Sequence, residues 1–133
     1  MTDNSAVQEV RAGRELDALV AEKVMGFRHC LVIPLGPHAT PTLMGSPPNA
    51  TGRNKVPEYS GDIAAAWLVV EKMRERFDTV IVESCLDGFS VRLGDYEAPA
   101  PLVHVSIDPR QGGVALAICL ASLKAVSPRP PSA

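Results

Sequence analysis

The turn before the last apolar segment carries the residues best suited to holding an anion. Arg110 lies two residues before the pair Gly112-Gly113, and a helical pattern begins directly afterwards. Backbone amides at a helix N-terminus point towards a ligand, and the helix dipole favours negative charge there. The alternative is a glycine-containing turn without a ligand, because the G-x-x-x-x-G-K pattern of nucleotide-binding loops is absent. We predict a small-anion or nucleotide site at Arg110, Gly112 and Gly113, and no cofactor.

Cys85 and His104 are the only residues that suggest covalent catalysis. With Asp87 or Asp95 they could be arranged as a nucleophile and its base. The chain has no G-x-S-x-G sequence or other nucleophile motif. A histidine on a sheet face and a buried thiol are therefore the preferred interpretation. We assign no catalytic residue, and a cysteine-dependent enzyme is the third hypothesis for function.

A metal site would have to use His29, Cys30 and His38. These residues lack the paired spacing of zinc ligands, and no carboxylate lies between them. Glu71 and Glu75 form an acidic i, i+4 pair, but basic residues flank them, which indicates a solvated helix face. We predict no metal site.

The composition argues against several classes of partner. The 133 residues have a net charge of −2 and 5% aromatic residues, so we expect neither nucleic acid nor a membrane as partner. The uncharged apolar segment 114–123 is half as long as a membrane span. Three cysteines without paired spacing, and an N-terminus unlike a secretory signal, predict reduced thiols and a cytoplasmic protein.

Three segments show the apolar periodicity of helices, and we predict helices over 14–25, 60–77 and 113–126. Ser60 is the expected N-cap of the second helix, and Trp67 is expected to anchor it in the core. The apolar stripe of the first helix comprises Leu16, Leu19, Val20 and Val24. That of the second comprises Ile63, Ala66, Trp67, Val70, Met73 and Phe77. The third helix is apolar on almost every side, which predicts burial against a sheet or a second copy.

Alternating or β-branched runs predict strands over 79–84, 89–93 and 102–107, with a hairpin turn at 86–88. Residues 28–57 are rich in proline and glycine. They are expected to form a long loop available for binding, with short strands at most at 30–33 and 42–44. Residues 13–126 then form a single domain, between a flexible N-terminus over 1–12 and a disordered proline-rich tail over 127–133.

Three blocks carry a family resemblance: RELDALVAEKVMGF (14–27), PEYSGDIAAAWLVVEKM (57–73) and ALAICLASLKA (115–125). In this order they resemble the phage ABA sandwich domain family. The resemblance implies an α/β/α sandwich encoded by a phage or prophage, but no activity and no functional residue. Our fold prediction is an α+β protein, an α/β/α sandwich with three helices and a small, mainly antiparallel sheet of three to four strands.

The leading hypothesis for function is a non-enzymatic, intracellular protein-binding module. Its partner would be a host protein, a phage protein or a second copy of the chain. The alternative is a small-ligand or nucleotide-binding protein that sequesters its ligand, at Arg110, Gly112 and Gly113. We also expect a homodimer through the helix at 113–126, because one sheet face could not cover all its apolar side chains.

Overall fold

The computed structural model of the chain describes residues 13–34, 37, 41–48, 51–95 and 102–126. The predictions for 1–12, His38 and the tail at 127–133 lie outside these residues. The helices and strands are α1 (Arg14–Lys23), β1 (Arg28–Ile33), β2 (Thr42–Ser46), β3 (Asn54–Lys55), α2 (Ile63–Met73), β4 (Thr79–Cys85), β5 (Gly88–Gly94), β6 (Val103–Ile107) and α3 (Val114–Val126).

The strands form two three-stranded antiparallel sheets, in the orders β1-β2-β3 and β4-β5-β6. The second sheet confirms all three predicted strands. Cys85 pairs with Gly88 across a two-residue turn, which confirms the hairpin. The inner face of the β4-β5-β6 sheet carries Val91, Leu93 and Ile107, as the alternation of apolar and polar residues predicted. The protein is thus an α+β sandwich as expected, but with two small sheets in place of one.

α3 lies at the centre of the domain. It packs against all three strands of the β4-β5-β6 sheet and also contacts α1 and α2, while α1 contacts β1 of the other sheet. The buried face of α2 includes Ala65 and Ala66, and that of α3 includes Ala115, Ala117 and Ala121. These small side chains let the helix backbones approach closely, so that Val69, Leu116 and Cys119 are fully enclosed.

The prediction that Trp67 anchors the core is wrong. Its side chain is 49% exposed, as is that of Leu68, whereas Val70 and Met73 are buried. The buried face of α2 is centred on its alanines, because α3 leaves too little room there for an indole ring. Leu19 of α1 is likewise exposed, and Asp17 is buried in its place. The other three residues of the stripe predicted for α1 are buried, as expected, so the error is larger in α2, where both Ile63 and Trp67 are exposed.

The start of α2 also differs from the prediction. Asp62, and not Ser60, is the N-cap, and its Oδ1 accepts a hydrogen bond of 3.1 Å from the Ala64 amide. The helix ends at Met73, and a turn over 74–76 follows it. Ser60 is instead buried and bound to α1. Ser60, which was expected to cap α2, therefore links α1 to the segment that precedes α2.

The prediction of a long irregular loop over 28–57 is partly wrong, because the segment has 13 of its 30 residues in strands, although the short strands expected at 30–33 and 42–44 are confirmed. It contains β1, β2 and β3, and the proline and glycine residues lie mainly between the strands. Gly45 lies inside β2 because a Cβ at that position would come within 2.7 Å of the Cys30 sulfur. A strand of two residues, such as β3, leaves almost no alternation in the sequence to detect.

Candidate functional site

Arg110 lies in the turn before α3, but its guanidinium is held by a neighbour. Both Arg110 Nε and Nη2 donate to the Asp108 carboxylate at 3.2 Å, and Asp108 Oδ1 accepts the Arg110 amide at 2.8 Å. The side-chain hydrogen bonds from Arg110 lower the pKa of the Asp108 carboxyl, and the same bonds to Asp108 raise the pKa of the Arg110 guanidinium. An anion bound by Arg110 would compete with this carboxylate.

The two glycines of this turn differ in their surroundings. A Cβ at Gly112 would lie 2.6 Å from Leu116 Cδ2, so a larger residue there would force the buried Leu116 side chain to shift. A Cβ at Gly113 would meet no atom within 4 Å, and the Gly113 carbonyl accepts the Leu116 amide at 3.1 Å. A glycine-containing turn without a ligand would precede α3 in the same way. The anion site therefore stays a prediction.

Cys85 and His104 lie on the outer face of the β4-β5-β6 sheet, at opposite ends of one cavity of about 300 Å³. Cys85 pairs with Gly88, and His104 pairs with Arg92. Two strand spacings and four residues therefore separate their Cα atoms, a distance of about 16 Å. A nucleophile and its base must be within about 3 Å of each other. The geometry gives a Cys85–His104 catalytic pair no support.

Polar side chains line the middle of this cavity. Glu83 Oε1 accepts a hydrogen bond from Arg92 Nη2 at 2.5 Å and one from the Ser90 hydroxyl at 3.2 Å. On the neighbouring strand, the Ser106 hydroxyl lies 3.3 Å from His104 Nε2. Arg92 Nε is buried and has no hydrogen-bond partner among the described residues. Arg92 therefore keeps one buried N–H without an acceptor among the described residues, beside its ion pair with Glu83.

A second cavity, of about 400 Å³, lies where α1 meets the β1-β2-β3 sheet. Two basic residues, Arg14 and Lys55, line it together with two acidic ones, Asp17 and Glu58. Arg14 Nη1 donates to the Pro41 carbonyl at 3.2 Å. The formal charges of the cavity lining balance, so the lining selects for neither an anion nor a cation.

Asp17, at the edge of the second cavity, forms the main buried polar contact between α1 and the segment before α2. Its Oδ1 accepts from the Ser60 amide at 2.8 Å and from the Ser60 hydroxyl at 2.6 Å. The Ser60 oxygen in turn accepts from the Gly13 amide at 2.9 Å. The donors of this network all bind acceptors within it, so we interpret the network as structural. Because 43 residues separate Asp17 from Ser60, no local sequence pattern indicates this contact.

No group of three potential metal ligands is present in the part of the chain that the structure describes. Of the three residues considered for a metal site, His29 and Cys30 lie on β1. His29 has a φ of 57°, beside a register shift in the pairing of β1 with β2. Burial, with a smaller contribution from Glu22, raises the pKa of the Cys30 thiol. A raised thiol pKa disfavours the thiolate that binds metal.

The clearest surface feature is an apolar patch on α2, which we call the α2 outer face. It consists of Ile63, Ala64, Trp67 and Leu68, all exposed. The three large side chains are each about half exposed. They lie at i, i+4 and i+5, so they share one side of the helix. Trp67 is the only tryptophan of the chain.

α3 does not provide such a surface. Seven of its thirteen residues are buried by the chain's own elements, and Leu120 and Leu123 are partly buried. The premise for a homodimer through the helix at 113–126 therefore does not hold, because α1, α2 and the sheet already cover this helix.

The sequence matches the family model of the phage ABA sandwich domain over residues 18–123. The protein belongs to this family. The match includes all three helices and both sheets, and it confirms the resemblance carried by the three sequence blocks. The chain is thus a phage-type protein, and the family brings no established molecular function.

A structural relative supports the fold. The crystal structure of a phage protein from Bacillus cereus ATCC 14579 superposes with a TM-score of 0.51 and 21% identity, covering 84% of this chain and 89% of that one. At this identity the similarity concerns the fold alone. Among curated proteins, none matches the chain. Within the described residues, no helix has both the length and the apolarity needed to cross a membrane.

Proposed function

We propose that this phage ABA sandwich protein is a non-enzymatic protein-binding module that acts through the α2 outer face. The observation that carries the proposal is the half-exposed cluster of Ile63, Trp67 and Leu68 on a well-packed helix. Contiguous exposed apolar patches on a soluble domain mark interaction sites, and tryptophan is enriched among the residues that dominate binding energy. Because the opposite face of α2 packs against α3, the helix that carries these side chains loses little conformational entropy on binding.

The experiment compares affinity capture by three forms of the protein from phage-infected and uninfected cells. The forms are the wild type, Trp67→Ser, and the control Leu31→Ser, which removes a similarly exposed leucine from β1. Proteins or further copies of the chain retained by the wild type and the control, but lost with Trp67→Ser, are the expected result. Identical capture by all three forms, or none by any together with a monomeric wild type, would overturn the proposal.

A second candidate function is the binding of a small anionic ligand or nucleotide. The observation that favours it is Arg92, which lines the cavity of the β4-β5-β6 sheet and whose buried Nε has no hydrogen-bond partner among the described residues. A thermal-shift screen against nucleotides tests it, because a ligand at 100 times its dissociation constant adds about 2.7 kcal/mol of stability. Loss of a positive shift in Arg92→Gln locates the ligand in this cavity, whereas loss in Arg110→Gln locates it at the turn before α3. No shift with any nucleotide rejects this function.

A further inference from the structure

We propose that the second cavity, where α1 meets the β1-β2-β3 sheet, binds a small zwitterion, and that this ligand is a free aliphatic α-amino acid. The cavity of about 400 Å³ lies within the range of small-molecule pockets. None of the described residues that line it belongs to the α2 outer face, so ligand binding here is a function beyond the protein-binding role. The lining carries charges of both signs beside apolar side chains, and a zwitterion complements this combination.

Four charged residues line this cavity, and none of them takes part in an ion pair within the described part of the chain: Arg14, Asp17, Lys55 and Glu58. Arg14 and Asp17 lie three residues apart on α1, a spacing at which opposite charges commonly pair. Arg14 Nη1 instead donates to the Pro41 carbonyl at 3.2 Å. The charges of the lining therefore balance in number without neutralising one another, and both signs remain available to a ligand.

Asp17 provides the buried negative charge. It is 4% exposed, and its Oδ1 accepts both hydrogen bonds from Ser60, whereas its Oδ2 accepts none from any described residue. Among the described residues, Arg92 Nε is the only fully buried side-chain nitrogen or oxygen without a partner, so Asp17 Oδ2 retains contact with the open space of the cavity. A buried carboxylate is costly unless it is paired, and a ligand ammonium supplies both the charge and the donors.

The positive charges lie at the mouth of the cavity, because Arg14 and Lys55 are both exposed. Arg14 uses one of its N–H donors for the Pro41 carbonyl, and the Lys55 ammonium has no hydrogen-bond partner among the described residues. A guanidinium with free N–H groups binds a carboxylate through charge-assisted hydrogen bonds. We therefore place the ammonium of the ligand at Asp17 and its carboxylate between Arg14 and Lys55.

A ligand with a single charge fits this lining less well. An anion bound at Arg14 would also meet the two carboxylates, Asp17 and Glu58. A cation bound at Asp17 would also meet the two basic groups at the mouth. The Cβ atoms of residues three apart on a helix are about 5–6 Å apart, so Arg14 and Asp17 can contact two neighbouring groups of one ligand. The ammonium and the carboxylate of an α-amino acid are attached to the same carbon, which suits this spacing.

The apolar part of the lining selects the side chain of the ligand. Pro41, Leu43 and Val56 line the cavity, and Leu43 and Val56 are 7% and 2% exposed. These side chains can cover an aliphatic group but offer no hydrogen bond to a polar one. We expect alanine, valine, leucine and isoleucine to bind, and to bind more tightly as the buried apolar area of the ligand increases.

Isothermal titration calorimetry on the complete chain tests the site with L-leucine and with two analogues that each lack one charge. The first, 3-methylbutylamine, lacks the carboxylate, and the second, 4-methylpentanoate, lacks the ammonium. We expect L-leucine to bind with a dissociation constant on the order of 0.1 mM. Each analogue should bind at least about 10-fold more weakly, because it leaves charged residues of the lining unpaired. No binding by any of the four aliphatic amino acids, or equal binding by L-leucine and either analogue, would refute the zwitterion site.

Variants locate the ligand in this cavity. Arg14→Gln and Asp17→Asn should each weaken L-leucine binding by at least about 10-fold. Arg14→Gln should also reduce the preference for L-leucine over 3-methylbutylamine, which a purely structural effect would not change. The control Arg53→Gln removes an exposed cation outside the lining and should bind L-leucine like the wild type.

Circular dichroism checks that each variant is folded. Arg14 is exposed, so Arg14→Gln serves if Asp17→Asn does not fold. L-leucine binding that is unchanged in both variants, or equally weakened by Arg53→Gln, would reject this cavity as the site.

Discussion

Replacing Ser60 by alanine should reveal how much stability the buried contact between α1 and the start of α2 provides. Ser60 is 2% exposed and Asp17 is 4% exposed. The serine hydroxyl donates to Asp17 Oδ1 at 2.6 Å and accepts from the Gly13 amide at 2.9 Å. The substitution removes both hydrogen bonds and leaves the backbone bond from the Ser60 amide to Asp17 in place.

The magnitude follows from these two losses. A hydrogen bond to a charged group contributes about 1.5–3 kcal/mol, and a partly buried amide left without an acceptor costs about 1 kcal/mol. We therefore expect Ser60→Ala to lower the free energy of unfolding by about 3 kcal/mol. Typical domains have only about 5–15 kcal/mol of stability, so the loss is large. Asp17→Asn retains an oxygen acceptor and should cost less, about 1 kcal/mol.

Urea denaturation with linear extrapolation measures each value. Ser84→Ala is the matched control, because Ser84 is exposed on β4 and should change stability by less than about 0.5 kcal/mol. The double variant Asp17→Ala with Ser60→Ala should lose less than the sum of its single variants, because the two residues share one contact. A loss below about 0.5 kcal/mol for Ser60→Ala, or full additivity, would refute the reasoning.

Two further predictions concern packing and pH. Gly88→Ala places a Cβ 1.9 Å from the Ile107 carbonyl oxygen at a φ of 145°, so it should lower thermal or urea stability by more than about 3 kcal/mol. Gly113→Ala, whose Cβ meets nothing within 4 Å, is the control and should change it by less than about 1 kcal/mol. Burial raises the pKa of Cys119 from 9.0 to about 12 and that of Tyr59 from 10.0 to about 12. Above pH 9 the folded chain holds protons that the unfolded chain releases. The contribution of these two groups to the free energy of unfolding is therefore fully present below pH 9 and falls between pH 9 and 12. The fall is up to about 1.4 kcal/mol per pH unit for each group.

Each of these two predictions has its own control variant. Equal stability of Gly88→Ala and Gly113→Ala would contradict the close approach of β5 and β6. For the pH dependence, Cys119→Ala should show a shallower fall between pH 9 and 10, where the tyrosine has not yet begun to contribute. Parallel stability curves for Cys119→Ala and the wild type would contradict the assignment.

Several elements could be predicted from the sequence because their signals are local. The alternation of Phe89, Val91 and Leu93 defined a strand with one buried face, and Leu86-Asp87-Gly88 defined its turn. These features depend on residues within one hairpin, so neighbouring positions contain the necessary information. The helix at 113–126 was correct to within one residue because its apolar character has no competing interpretation.

Candidate sites were less predictable. His104 lies on a sheet face as expected, but Cys85 is exposed at the end of β4, so the prediction of a buried thiol is wrong. The separation of the two residues by two strand spacings depends on the register of three strands. Arg110 was expected to be available to an anion, yet Asp108 two residues away accepts its hydrogen bonds. Residue types identify what chemistry is possible, whereas the distances between side chains decide whether it can occur.

The sequence alone determined where the helices and most strands lie, since periodicity and turn residues act over a few positions. Only the tertiary structure decided which side of α2 is buried. Hydropathy ranks tryptophan and isoleucine above alanine, but the closeness of α3 requires small side chains, so Ala65 and Ala66 are buried and Trp67 is exposed. The Asp17–Ser60 contact also arose from packing between distant segments. Burial depends on the shape of the space that is available, which no single segment contains.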